Sequence, residues 1–288
     1  MKELNGLDSS KKIKIIGYEG VVLVADVFGN PQDPPVIFLH GGGQTRSSWG
    51  AAAQSIARNG WHTIALDLRG HGESGWTQGK SYQFKDFIDD LNILISGLEQ
   101  PPVLVGASLG GIVSLLKCAE DGAEIAGLIL VDIAPTIEPK GQQRVESFMM
   151  AKAFSGFSSL EEAAEYISNY IPHRKRPVNH NGLEKNLRLK EDGRWYWHWD
   201  PEMMGSLSKN RPDREMLVSA AQSLKIPTLL VRGALSDVLS EEGVRDFCSI
   251  VQHAEFVEVK NAAHMVAGDN NNIFASAVSD FLSRVRTI

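Results

Sequence analysis

Ser108 lies in the stretch Val103-Leu104-Val105-Gly106-Ala107-Ser108-Leu109-Gly110-Gly111, and its neighbours say what its hydroxyl could do. Val103 to Val105 read as a short buried strand, and Ile112 to Ala119 as an apolar helix. A Gly-x-Ser-x-Gly turn between strand and helix forms a nucleophile elbow. So sharp a turn strains the serine backbone, and Gly106, Ala107 and Gly110 let strand and helix close up around it. The Leu109 N–H then falls at a helix N-terminus, where it can stabilise a developing oxyanion. A serine at a helix start also serves as an N-cap. The buried strand before it and the glycines around it favour the nucleophile.

A serine hydroxyl needs an adjacent base to become nucleophilic, and the chain has eight histidines. His264 stands in a loop directly after the last predicted strand, where Ala262 and Ala263 leave it room to turn inward. His40 and His71 sit beside glycine runs and read as rings that pin loops. His62, His173, His180 and His253 have no motif around them, and His198 reads as a packed ring in an aromatic segment.

The elements that must position these groups alternate along the chain. A hairpin over 12–18 and 21–27 opens a sheet. Strands follow at Val36–Leu39, Thr63–Leu66, Val103–Val105, Gly127–Val131, Pro227–Gly233 and Glu255–Val259, separated by helical stretches. One of these, Phe84 to Leu98, sets Phe84, Phe87, Ile88, Leu91 and Ile95 on one face. Such alternation implies a mostly parallel sheet of about eight strands, covered on both faces, with its ligand beyond the strand C-terminal ends. His40, Asp67, Ser108, Asp132 and Asp237 all fall at or just past such ends.

The alternation stops at Ile133-Ala134-Pro135 and resumes after Pro212. Helices are predicted over Gln142–Phe154, Ser159–Tyr170 and Gly182–Lys190, followed by Trp195-Tyr196-Trp197-His198-Trp199. The reading is a core of residues 1–133 and 214–288 with a helical cap inserted at 134–213. Phe148, Phe154, Tyr170, Trp195, Trp197 and Trp199 are candidates either for packing the cap or for walling a pocket for an apolar or aromatic group.

Composition narrows the class. A hydrophobic content of 43%, a charged content of 22% and a net charge of -6 fit a globular protein and argue against nucleic-acid binding. His173-Arg174-Lys175-Arg176 reads as a solvated loop. Cys118 and Cys248 fall in predicted helices with no metal-site spacing and read as reduced thiols. Met1 to Lys14 lacks an apolar signal-peptide core, and no apolar run approaches the ~20 residues of a membrane span. The expectation is a cytoplasmic protein, a monomer or small homo-oligomer, with no cofactor, metal, nucleic acid or membrane partner.

Five ordered motifs carry a resemblance over nearly the whole chain: His40-Gly41-Gly42-Gly43, Asp67 to Ser74, the Ser108 elbow, Ser236-Asp237 and Ala263-His264-Met265. The chain resembles an α/β-hydrolase of the Ser-His-Asp type. The resemblance implies Ser108 as nucleophile, His264 as base and Asp237 as the acid, with Asp132 the rival because some relatives place the acid there. Chain order leaves both open, since each lies between serine and histidine. It further implies an oxyanion hole of Leu109 and Gly42, with Gly43 as the alternative donor. Asp67 reads from its own loop as structural, bonded there to Arg69 and Ser74. The implied activity is cleavage of a small carboxylic ester. Carbon–carbon bond hydrolysis of a vinylogous diketone, a cofactor-free perhydrolase or haloperoxidase, and a ligand receptor with residual hydrolysis are the competing readings.

Overall fold

The computed structural model describes residues 10–286 except 78, 80, 81, 121 and 175–181. His180, Lys175 and Arg176, and most of the N-terminal stretch, lie outside the described residues. The described chain forms an eight-stranded sheet. In chain order its strands are β1 (Lys11–Ile16), β2 (Val22–Phe28), β3 (Pro35–Leu39), β4 (His62–Asp67), β5 (Val103–Ala107), β6 (Gly127–Val131), then, after an insertion carrying β7 (Leu187–Leu189) and β8 (Trp195–Trp197), β9 (Thr228–Gly233) and β10 (Glu255–Val259). The spatial order is β1-β2-β4-β3-β5-β6-β9-β10. The β1–β2 and β2–β4 pairs are antiparallel, and every pair from β4 to β10 is parallel.

Side chains alternate across a strand, so each central strand feeds two cores. Ile37, Leu39, Leu104, Leu128, Leu130 and Leu230 pack on one face of the sheet. There they meet α2 (Phe84–Ser96), α3 (Leu109–Cys118), α7 (Arg214–Gln222) and α8 (Glu241–Ile250). Val36, Phe38, Val105, Ile129, Val131 and Val231 point the other way, against α1 (Gly50–Ala57) and α10 (Asn271–Val285). Helices on both faces explain why the central strands are continuous apolar runs.

Between β6 and β9 the chain leaves the sheet. It forms α4 (Pro139–Ala151), α5 (Leu160–Tyr170), the antiparallel β7–β8 ribbon and α6 (Pro201–Lys209). The ribbon corrects the purely helical reading of this segment. The predicted Gly182–Lys190 helix is a single turn at Leu183–Lys185 followed by β7. Gly193, at φ +74°, lies in the turn that reverses the chain into β8, whose aromatic residues favour a strand. The insertion is tied to the loop after β4. The Gly72 N–H donates to the His198 carbonyl at 2.6 Å, the Asp200 N–H to the Gly70 carbonyl at 2.8 Å, and the Tyr82 hydroxyl to the Asp200 carboxylate at 2.9 Å.

The elbow depends on close backbone approach. A Cβ on Gly110 would lie 2.3 Å from the Leu39 carbonyl oxygen and 2.8 Å from that of His40. Both obstacles are main chain, so no side chain could swing aside. Gly110→Ala should therefore destabilise the fold by about 3 kcal/mol, read by urea unfolding. Gly50→Ala, which meets nothing within 4 Å, should stay within about 0.5 kcal/mol of the parent. Equal stability of the two variants would overturn this account of the elbow.

Candidate active site

Ser108 joins β5 to α3 at φ +46°, ψ −114°, a backbone conformation that an L-residue adopts only when its surroundings impose it. Its carbonyl accepts the Ile112 N–H at 2.9 Å, the first turn of α3. Its side chain lines a cavity that His264 also lines. His264 follows β10 and precedes α9 (Val266–Asp269). Its Nδ1–H donates to Asp132 Oδ2 at 2.8 Å, which leaves Nε2 with a lone pair for the cavity.

The carboxylate on His264 is thus Asp132, and the preference for Asp237 is corrected. Asp237 is 39% exposed and accepts Arg144 Nη1 at 2.6 Å. Asp132 is fully buried and follows β6 at φ +53°. A buried carboxylate is costly unless donors surround it. Here the Gly233 N–H reaches Oδ1 at 3.0 Å, and the Ser236 hydroxyl donates to Oδ2, the oxygen that also holds His264. Ser236 is fixed in turn, because its oxygen accepts the N–H groups of Val238 and Leu239 at 3.1 and 3.2 Å. The Ser236-Asp237 motif therefore serves the site through its serine, while the main chain of Asp237 supports α4. A Cβ on Gly141 of that helix would fall 1.9 Å from the Asp237 carbonyl oxygen.

The loop after β3 carries the candidate oxyanion donors. Among the described residues, the N–H groups of Gly42 and Leu109 have no protein acceptor, and both residues line the cavity beside Ser108. Gly43 is excluded as the alternative donor because its N–H is bonded to His71 Nε2 at 3.1 Å. His71 Nδ1–H donates to the Arg69 carbonyl at 3.1 Å. His40 Nε2 accepts the Leu68 N–H at 3.1 Å, and its Nδ1–H donates to the Gly41 carbonyl at 2.8 Å. The two rings meet edge to face with centroids 4.8 Å apart. Both are the loop-pinning histidines that the sequence suggested. Asp67 is structural as well, although its guanidinium partner is Arg46. Arg69 instead forks onto Asp90 at 2.6 and 2.7 Å, a buried pair hidden within the apolar face of α2.

Among the described residues, two lobes of the cavity meet at Ser108, His264, Gly42, Val145 and Met149. The larger, about 250 Å³, is walled by Phe148, Trp197, Trp199 and Tyr170. Phe148 stacks on Tyr170 with centroids 3.9 Å apart. Trp195 does not line it; its backbone pairs with Phe157 across a β-bridge. Phe154 is 58% exposed. The smaller lobe, about 100 Å³, runs past Ile112, Ile133 and Val238 to Arg211, a residue sequence reading did not single out.

A sequence model described as the alpha/beta hydrolase fold matches residues 34–270. The chain belongs to the α/β hydrolase fold family. It is similar to a 3-hydroxybutyrate-oligomer hydrolase of Cupriavidus necator, 24% identical over 250 residues, which are 82% of this chain and 85% of that protein. It is also similar to the esterase Rv0045c of Mycobacterium tuberculosis, 28% identical over 246 residues, 82% of this chain and 78% of the relative. Among solved structures, an E-2-(acetamidomethylene)succinate hydrolase superposes with a TM-score of 0.84 at 23% identity, over 96% of this chain and 100% of the other. These likenesses agree with the fold that the ordered motifs implied.

The two loop histidines predict a pH response. Burial pushes His40 down to about 4, and burial together with neighbouring His40 pushes His71 down to about 3. Both rings are neutral in the native state, while the unfolded chain protonates them near pH 6.5. Their stabilisation is complete above pH 6.5 and is lost as pH falls towards 4 and 3. By pH 5 each ring should cost on the order of 2 kcal/mol, seen as a falling urea midpoint between pH 7.5 and 5. His71→Gln should flatten that slope. A parent whose stability does not change over this range would refute the neutral buried pair.

Proposed function

We propose that the protein is a serine hydrolase cleaving a small carboxylic ester through an acyl-enzyme on Ser108. The observation that carries this reading is the shared cavity of Ser108 and His264, with the imidazole oriented by the buried Asp132 carboxylate. The Ser108 hydroxyl attacks the ester carbonyl, and its proton passes to His264 Nε2. Asp132 keeps the ring in the Nδ1–H tautomer and stabilises the imidazolium that forms. The carbonyl oxygen gains negative charge and receives the N–H groups of Gly42 and Leu109, each such donor being worth ~10²–10³ in rate. Collapse of the tetrahedral intermediate expels the alcohol, which takes the proton from His264. A water molecule then attacks the acyl group with His264 again as base, releasing the acid and restoring Ser108.

The lobes suit a small organic substrate with one arm in each, the aromatic walls of the larger favouring an apolar or aromatic group. The fold supports many substrates, so the substrate is argued from these walls and not from the relatives' names. Phe148, Trp197 and Tyr170 stand in this reading as its contact residues.

Steady-state hydrolysis of p-nitrophenyl acetate, valerate and octanoate tests the reading. Ser108→Ala should lower turnover by on the order of 10⁴ or more, because such groups act as a unit. Retained turnover, or no turnover by the folded parent, would overturn the assignment. Asp132→Asn should cost ~10⁴ in kcat, and Asp237→Asn less than tenfold. The reverse order would return the acid to Asp237.

A further inference from the structure

Among the described residues, Arg211 shares the smaller lobe with one other charged side chain, Glu146. Arg211 lies between α6 and α7 and lines the smaller lobe, whose other walls are mostly apolar. With Phe84 it also lines a groove on the outer surface, which sets it at the solvent end of that lobe. Its side chain is only 30% exposed, yet among the described residues its guanidinium donates no hydrogen bond. The nearest carboxylate oxygen, Glu146 Oε1, stands 3.8 Å away and is already held by Gln142 Nε2 at 2.7 Å. Other arginines near the cavity are hydrogen-bonded: Arg174 to Asp269, and Arg144 to Asp237 and the Tyr170 carbonyl. Burial without a bonded partner holds the Arg211 cation below the usual arginine range. An under-compensated guanidinium at the end of an apolar tube is suited to an anion, and its planar fork matches a carboxylate with two parallel hydrogen bonds.

We propose that Arg211 is a specificity-determining residue that receives a carboxylate on the substrate, carried on a short apolar arm in the smaller lobe. The lobe of about 100 Å³ limits that arm to a few carbons. The ester bond lies at Ser108, at the junction of the lobes, so the proposal rests on the ester-hydrolase reading. The substrate class is a half-ester of a short dicarboxylic acid or an ester of a short hydroxy acid. Glu146 opposes the anion, and its removal should strengthen recognition.

The test compares matched esters. With the charge on the acyl side, p-nitrophenyl hydrogen glutarate is set against p-nitrophenyl valerate. With the charge on the alcohol side, the valerate ester of 3-hydroxypropanoate is set against butyl valerate, followed by proton release. One anionic ester should exceed its neutral partner at least tenfold in kcat/KM, and which one does so places the carboxylate on the acyl or the alcohol side. In Arg211→Met that preference should fall to threefold or less. Arg211→Lys should keep part of it, and Glu146→Gln should raise it. Equal rates for both pairs in the parent, or a preference that survives Arg211→Met, would overturn the proposal. Glutarate binding, measured calorimetrically on the unmodified protein and Arg211→Met, separates the two readings. If no ester is cleaved but glutarate binding requires Arg211, the ester reading fails and the anion site stands. If esters are cleaved without charge preference, the ester reading stands and the Arg211 assignment fails.

Discussion

The Asp132 carboxylate has no access to water, and the arrangement around Ser108 follows from how that charge is satisfied. Its donors come from three places: His264 after β10, and Gly233 and Ser236 at and beyond the end of β9. Each donor both offsets the desolvation of the carboxylate and is positioned by it. The registers that pair Ala107 with Val131 and Val131 with Val231 put the ends of β5, β6 and β9 side by side. Removal of the Asp132 carboxylate would leave the imidazole without its orienting acceptor and the Gly233 N–H and Ser236 hydroxyl without theirs. The site is therefore a property of the sheet edge as a whole.

A second set of buried polar groups holds the glycine loop beside Ser108. His40 and His71 each accept one backbone N–H and donate to one backbone carbonyl, so their burial is compatible only with neutral rings. They bind the glycine loop after β3 to the loop after β4, and Arg46 ties the base of both to Asp67. Because His71 takes the Gly43 N–H, the N–H left for the cavity is that of Gly42. The inserted segment is anchored to the same loop through Gly70, Gly72 and Asp200. The cavity walls and the candidate oxyanion donors thus share one support.

The two lobes differ in chemistry. One is broad and aromatic, and the other is smaller, mostly apolar, and carries Arg211 beside Glu146. Such asymmetry about Ser108 would distinguish the two ends of an unsymmetrical ligand.

What the sequence alone determined was local. The elbow, the strands and the loop histidines were legible because each depends on a few consecutive residues, as with the buried run Val103–Val105 beside glycines that only close packing requires. His264 was legible from its place after the last strand. The tertiary structure decided which carboxylate meets it. Asp132 and Asp237 both follow strands, and their distance from His264 depends on strand order and register, which chain order does not encode. Ser236 and Asp237 are adjacent in sequence, yet one hydroxyl turns in to Asp132 while its neighbour turns out to Arg144. The β7–β8 ribbon escaped because its aromatic residues satisfy either a packed helix or a strand until a partner strand is present. Arg211 escaped for the same kind of reason. A lone arginine before a proline carries no local signal, and its significance arises only where folding brings it, half-buried and, among the described residues, with no ionic contact closer than Glu146 at 3.8 Å, to the end of a cavity that begins at Ser108.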